Sequence, residues 1–385
     1  MTQSGPGSTT GPQPASTFSK KIITDSAINS KLDIVIPAFS PGLDQQAGNY
    51  EQEGIWPELR RAEANRFAFK LKEALEKTGK FGAVRVTPSN NASGDIYVLG
   101  EIVESNGVEL KFDLEVVDTT GKRWMNQSFD YEVSEGFYKN PRNAGKDAYA
   151  PAFVEAAQEV VAALLKQNPS NLDELKKIAA LRFGASFNEK AFTPYLDTSS
   201  NPMKLLGMPS DDDPLYQRVQ SVRVREQLFI DNLQQNYSGF SQQMEDSYLV
   251  WQKASFTEIE LRKKARINGY LKIAGGILLV AASIAAGGSA NRNDNNIGNE
   301  VTAVLAGVGA AVMINSGLSS RAEAEMHNDA INELGQSVDL EMSPQVVDFE
   351  EETQELSGDI EEQFQQWRAF MAKMYELEAT PQTQL

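Results

Sequence analysis

Few residues in this chain are of the kind that carry covalent or metal chemistry. It has 385 residues and no cysteine, which removes thiolate nucleophiles, thiolate metal sites and disulfides. The single histidine, His327, has no second imidazole with which to share a metal unless copies meet in an oligomer, and it reads as a surface residue of an acidic helix. Asp211, Asp212 and Asp213 stand in a row, but the spacing of a calcium loop is absent. Pro214 follows them, so they read as a helix cap and first-turn charges. No nucleophile elbow, P-loop, dinucleotide fingerprint or zinc motif occurs, and no cofactor or metal is implied. Paired carboxylates are the one chemistry left to an enzyme, among 53 acidic residues that need no such role. The expectation is a protein that is not an enzyme.

The spacing that does stand out belongs to small residues. Two apolar arms, Ile273–Asn291 and Val301–Ser320, carry no charge and are joined by the polar turn formers of Arg292–Glu300. Each is close to the ~20 residues with which a helix crosses the ~30 Å hydrocarbon core of a bilayer. Gly275 and Gly276 open the first arm, and Ala281/Ala285, Ala282/Ala286 and Ser283/Gly287 recur four apart within it. Ala303, Gly307 and Ala311 repeat that spacing in the second arm. In lipid, where apolar surface gives little drive to associate, small faces let helix backbones approach closely. The pattern predicts a helical hairpin that packs on itself or on other copies. Two settings fit: a membrane, or the inside of a soluble oligomer.

The elements that must position this hairpin flank it. Upstream, Leu215, Val219, Val222, Phe229, Leu233, Tyr237, Phe240, Met244, Tyr248 and Trp251 step by three, four or seven. That is the stripe of a long helix packed on a partner helix, with Gly239 as a point of softening. Downstream, return helices are expected from Arg321, interrupted at Gly335 and at Ser343-Pro344. Ile360, Phe364, Trp367, Met371 and Met374 then resume the seam. Arg262, Lys263, Lys264 and Arg266 precede the first arm, while Glu323, Glu325, Asp329 and Glu333 follow the second. Paired across a hairpin these charges would set register, and the basic cluster could equally meet anionic headgroups. From Glu341 to Glu378 eleven acids face two bases, a solvated face and a docking surface for a basic partner.

The first 30 residues, rich in Ser, Thr, Gly and Pro, read as a disordered tether without the apolar run of a signal peptide. Residues 31–170 read as an α/β domain. Leu32–Phe39 is a buried strand, Trp56–Lys80 a helix with Pro57 in its first turn and Thr78-Gly79 at its end, and Ala83–Thr87 a short strand. Asp95–Glu104 and Val108–Asp118 flank the hairpin turn Ser105-Asn106-Gly107, and Thr119–Lys122 turns into a third meander strand, Arg123–Val133. Leu110, Phe112, Leu114 and Val116 alternate with charged residues, so one face of the sheet is wet, and the helix Tyr149–Lys166 can cover the dry one. Residues 171–214 read as a helix, Leu172–Phe183, and a linker. The long helix occupies 215–272, the apolar hairpin 273–320 and the return helices 321–385. The fold class expected is an α+β N-terminal domain, a mixed sheet with two covering helices, followed by a long antiparallel helical hairpin with a Gly/Ala-rich tip.

LDIVIPAF, the helix leading to TGKFGAVRV, GDIYVLGEIVES and VELKFDLEVVDTTGKRW together resemble an α/β module of bacterial envelope proteins. That module is shared by the N-terminal domain of the translocation protein TolB and the curli secretion-channel lipoprotein family. The resemblance covers Lys31–Lys166, with Pro-Ala-Phe at Pro37–Phe39 where the family usually has Pro-Phe. It implies a periplasm-facing, assembly-prone domain and assigns no functional residue. The positive-inside tendency would instead put Arg262–Arg266 and the domain in the cytosol, a conflict that an outer-membrane hairpin escapes.

The net charge of −17 argues against a nucleic-acid partner. The partners expected are further copies of the chain, membrane lipid and other envelope proteins. The function expected is a membrane-associated envelope scaffold or export-type subunit. The alternatives are an α-helical pore built from the same hairpins, or an enzyme using carboxylates.

Overall fold

A computed structural model describes residues 31–43, 56–267, 345–349 and 352–379. The apolar arms 273–320, with Gly275, Gly276, Ala281, Ala282, Ala285, Ala286, Gly287, Ala303, Gly307 and Ala311, lie outside the described residues, as do His327 and the acidic stretch Glu323–Glu333.

The centre of the domain is β1 (Ile34–Pro37), whose four residues are all buried. A strand apolar on both faces belongs inside a sheet, and β1 lies between two parallel neighbours, β2 (Val84–Thr87) and β3 (Ile96–Ser105). The chain reaches β2 through α1 (Pro57–Thr78). Proline in its first turn starts this helix, and Gly79 stops it in the left-handed conformation at φ 63°, its N–H bonded to the Glu76 carbonyl.

β3 turns tightly into β4 (Glu109–Asp118). Asn106 Oδ1 accepts from the Val108 and Glu109 N–H groups, and Gly107 takes φ 89°, a value that few other residues tolerate. A second turn, with Gly121 at φ 85° and Asp118 Oδ1 accepting from Thr120 and Lys122, leads to β5 (Arg123–Glu132). The mixed sheet runs β2-β1-β3-β4-β5. Its dry face takes α1 and α2 (Ala150–Leu165), the two covering helices expected, and Phe153 of α2 lies 5.2 Å from Phe67 and 5.6 Å from Phe112.

After α2 the chain forms α3 (Pro169–Phe187) and a single turn, α4 (Glu189–Phe192). The expected linker then holds a small hairpin of β6 (Leu196–Asp197) and β7 (Lys204–Leu205). Asp213 caps the next helix, α5 (Pro214–Gln243), its Oδ1 accepting from Leu215 and Tyr216.

α5 does more than pair with another helix, because it lies along β2 at the open edge of the sheet. An unpaired strand edge invites association with another chain. Here the Gln234 side-chain amide accepts from the Val86 N–H (2.9 Å) and donates to the Val86 carbonyl (2.8 Å), as a neighbouring strand would. Arg85 of β2 binds both oxygens of Asp231, at 2.6 and 3.0 Å.

α6 (Glu245–Ile267) follows at once. The interruption falls at Met244 rather than at Gly239, which sits inside α5. The return-helix reading also needs correction beyond its expected interruption at Ser343-Pro344. Residues 345–349 and 352–356 form a strand pair, β8 (Gln345–Phe349) with β9 (Glu352–Leu356), because Val346, Val347 and Phe349 favour extended backbone over helix. α7 (Ile360–Ala379) closes the described chain.

Leu215, at the start of the expected seam, is partly buried, whereas Phe229, Leu233, Tyr237, Phe240, Trp251, Ile360, Phe364, Trp367 and Met371 are buried. They belong to the same core cluster as the sheet and its helices. Trp367 stacks on Phe229 at 5.4 Å and is 2 % exposed, so α7 is anchored on α5. Trp367→Ala should therefore cost about 3–5 kcal/mol in urea unfolding. A loss below about 1 kcal/mol would mean that α7 is no part of the cooperative core.

Candidate functional site

The most unusual chemistry among the described residues lies where α6 crosses α1. Arg60, Glu63 and Arg66 follow one another at intervals of three along α1 and are 4 %, 1 % and 0 % exposed. An ionised side chain without water must find partners in the protein. α6 supplies them from Glu245, Tyr248 and Gln252, which share one helical face, and Asp147, just before α2, completes the set.

Arg66 Nη2 donates to Asp147 Oδ2 (2.7 Å), and Arg66 Nη1 to Glu245 Oε2 (2.6 Å) and the Ser241 carbonyl (3.3 Å). Its guanidinium lies 4.4 Å above the centre of the Tyr248 ring, a cation–π contact shielded from solvent. Tyr248 in turn donates to Glu63 Oε1 (2.8 Å), which also accepts from Ser105 Oγ (2.5 Å). Arg60 Nε stands 3.4 Å from Glu63 Oε2. Gln252 donates to Asp147 Oδ1 (2.9 Å) and accepts from the Ala148 N–H (3.3 Å). Tyr149 binds the β3–β4 turn, accepting from the Gly107 N–H at 2.6 Å and donating to the Glu109 carbonyl at 3.1 Å. Lys70 reaches Glu245 Oε2 at 3.3 Å, so three cations face three carboxylates.

Burial sets the electrostatics. It raises the Glu63 carboxyl above its ordinary 4.5, and the nearby Arg60 charge and the hydrogen bonds from Ser105 and Tyr248 offset only part of the rise. Burial, followed by the Glu63 charge, pushes the Tyr149 and Tyr248 hydroxyls well up. Burial works against the Arg66 charge, yet Asp147 and Glu245 outweigh it and the guanidinium stays protonated.

A carboxyl and two phenols with raised pKa values could form an acid–base set. Here Tyr248 is already bonded to Glu63 and Tyr149 to the β3–β4 turn, and Glu63, Tyr149 and Tyr248 are at most 1 % exposed. The arrangement is a clamp that fixes α6 to the domain. Among the described residues no group of His, Cys, Asp and Glu is placed to hold a metal ion.

The sequence reading missed this clamp. Charged residues at intervals of three beside an apolar stripe look like a wet helix face, and the available signal was Glu245, Tyr248 and Gln252, a polar stripe on a segment read as apolar seam. Of the residues singled out from the sequence, Tyr248 and Trp251 of the apolar stripe lie on α6 with their rings 5.2 Å apart, and the basic residues Arg262–Arg266 fall near its end.

Comparison of the chain with protein-family models, with curated proteins and with solved structures finds no match.

Arg66→Met strands Asp147 without its cation and should cost about 3–5 kcal/mol. Limited proteolysis should then cut α6 before it cuts the sheet, and an unchanged cleavage pattern would refute the clamp. The raised Glu63 pKa fixes the sign of a second effect. Its contribution to stability is fully present below pH 4.5 and is lost as pH rises through its folded-state value. The melting temperature of the parent protein relative to Glu63→Gln should thus fall as pH is raised from about 4 toward neutrality. A constant difference would mean that Glu63 titrates normally.

Proposed function

We propose that this protein is a non-enzymatic component of the bacterial cell envelope, associated with a membrane and assembled into a homo-oligomer through the apolar residues 273–320. The observation that carries this reading is that the chain on both sides of those residues is fixed to one domain. On the outgoing side α6 runs to Ile267 from the Arg66 clamp. On the returning side α7 is stacked on α5 through Trp367 and Phe364. Both flanks of those residues are thus held by one domain, as a hairpin would require. Any crossing of a membrane between them is therefore even in number.

Two further points support the reading. Among the described residues no helix is long and apolar enough to cross a membrane, so on this proposal the lipid contact falls to residues 273–320. The segments that carry the resemblance to the envelope module of TolB and the curli lipoproteins lie within one run of elements, β1-α1-β2-β3-β4-β5-α2. That resemblance favours a domain facing the periplasm and in contact with other envelope proteins, with the hairpin in the outer membrane.

Fractionation of the full-length protein, carbonate washing and sizing in mild detergent test the proposal together with a deletion of residues 273–320. The expected result is a carbonate-resistant, uniform large particle for the full chain and a smaller, water-soluble, folded domain for the deletion. A large soluble particle that the deletion dissolves would keep the assembly and discard the membrane. A soluble monomeric full chain, or a particle size unchanged by the deletion, would overturn the proposal.

A further inference from the structure

A cavity of about 340 Å³ opens between the crossover 88–95, α3 and α7. Pockets of this size take small organic ligands. Its lining holds two cations, Arg182 and Arg368, and no carboxylate, in a chain whose net charge is −17. Ser93, Ser186 and two asparagines add hydrogen-bonding groups, and Tyr97 and Phe183 form an aromatic wall.

The two arginines are held in different ways. Arg368 of α7 donates to the Asn91 carbonyl and reaches Ser186 Oγ at 3.5 Å, while its Nη1 stands 3.4 Å from Glu226 Oε2. Glu226 is 0 % exposed, and its other oxygen accepts from the Ser93 N–H at 2.8 Å. A buried carboxylate thus fixes Arg368 and the crossover together. Arg223 of α5 donates to Ser93 Oγ (3.1 Å) and steadies the same segment. Arg182 of α3 is exposed and donates to the Thr119 carbonyl through Nη1. A guanidinium has five N–H donors, so one bond leaves most of its capacity for an anion. The cavity is therefore a prebuilt cationic site in which only Arg182 lacks a carboxylate partner among the described residues.

Donors that converge from two helices and a loop match an anion with oxygens in several directions. A planar carboxylate is satisfied by a single guanidinium fork, whereas a phosphate uses several donor groups at once. The volume exceeds what a bare phosphate fills, and the remainder borders the aromatic wall. We propose that this cavity binds a phosphate monoester, with Arg182 and Arg368 holding the phosphate and Tyr97 and Phe183 packing against the organic group. The site does not rest on the membrane reading of residues 273–320. The phosphate can belong to a soluble monoester or to a lipid headgroup.

The test is calorimetric titration of the full-length protein in detergent with phenyl phosphate, inorganic phosphate and benzoate, repeated on Arg182→Gln and on Ser186→Asp, which places a negative charge beside Arg368. Phenyl phosphate should bind more tightly than inorganic phosphate. Loss of one charge-assisted contact should weaken it about tenfold or more in Arg182→Gln, with the melting temperature unchanged, and Ser186→Asp should abolish binding. Benzoate binding as tightly as phenyl phosphate, or Arg182→Gln binding as well as the parent, would overturn the proposal, as would no heat with any of the three. Flotation with neutral vesicles, with and without phosphatidic acid, then separates the sources. Recruitment that needs both phosphatidic acid and Arg182 identifies a lipid headgroup. Monoester binding without such recruitment identifies a soluble ligand.

Discussion

A cation removed from water must be neutralised where it sits, and Arg66 is removed completely. That requirement reaches into several parts of the fold, because α1 cannot satisfy it alone. Asp147 positions the start of α2, Glu245 and the Ser241 carbonyl fix the junction of α5 with α6, and Tyr248 links Arg66 to Glu63 and so to the β3–β4 turn. Buried ion pairs are often no more stabilising than apolar residues of the same volume. Their effect is on register. If α6 slid by one turn, an apolar interface would lose a few contacts, while this one would leave Arg66, Glu63 and Asp147 buried without partners. The charges thus make the position of α6 nearly all-or-none, where apolar packing would make it graded.

The same logic operates at the sheet edge in a milder form. β2 is a short strand at the end of a mixed sheet, with backbone groups that must bond to something. α5 answers with side chains: Gln234 on Val86, Asp231 on Arg85, and Glu226 on the crossover that follows β2. Glu226 and Gln234 lie eight residues apart, so they project from the same side of α5. The apolar residues between them, Phe229 and Leu233, are buried. α5 is consequently joined to the sheet by polar contacts and to α7 by aromatic ones. The cavity between the crossover, α3 and α7 exists because these contacts hold all three in place.

How far the sequence revealed this depends on the kind of signal. β4 was plain, since its alternation of apolar and charged residues has one structural meaning, and the Ser-Asn-Gly turn before it has nearly the same standing. Pro57 and Gly79 bounded α1 to within two residues for equally local reasons. The apolar stripe of α5 is legible, but a stripe reports burial without naming what lies across from it, and the polar residues that join α5 to the sheet edge, Asp231 and Gln234, lie outside the stripe. β8 was hidden by the acidic residues around it, although Val346 and Val347 pointed toward a strand. The clamp and the cavity were invisible for a physical reason. A charged residue on a helix looks the same in sequence whether it faces water or a partner far along the chain, and Arg66 and Glu245 are separated by 179 positions.

The anchoring on either side of residues 273–320 also constrains how those residues can act. A segment tied at one end can swing or withdraw independently of its domain. Here the outgoing helix is held by charges that tolerate no slippage, and the returning helix by Trp367 and Phe364 stacked on Phe229. A force on the apolar residues would be transmitted to α1 and the sheet through Arg66, and to α5 through Trp367. The two anchors differ in character. The polar one includes Glu63, a buried carboxyl with a raised pKa, while the aromatic one has no titratable group in its stacked rings. Raising the pH through the folded-state pKa of Glu63 would put a charge on a carboxyl whose burial disfavours it, and so weaken the outgoing anchor while the returning one holds. The asymmetry makes α6, rather than α7, the element through which the state of the domain can reach the apolar residues.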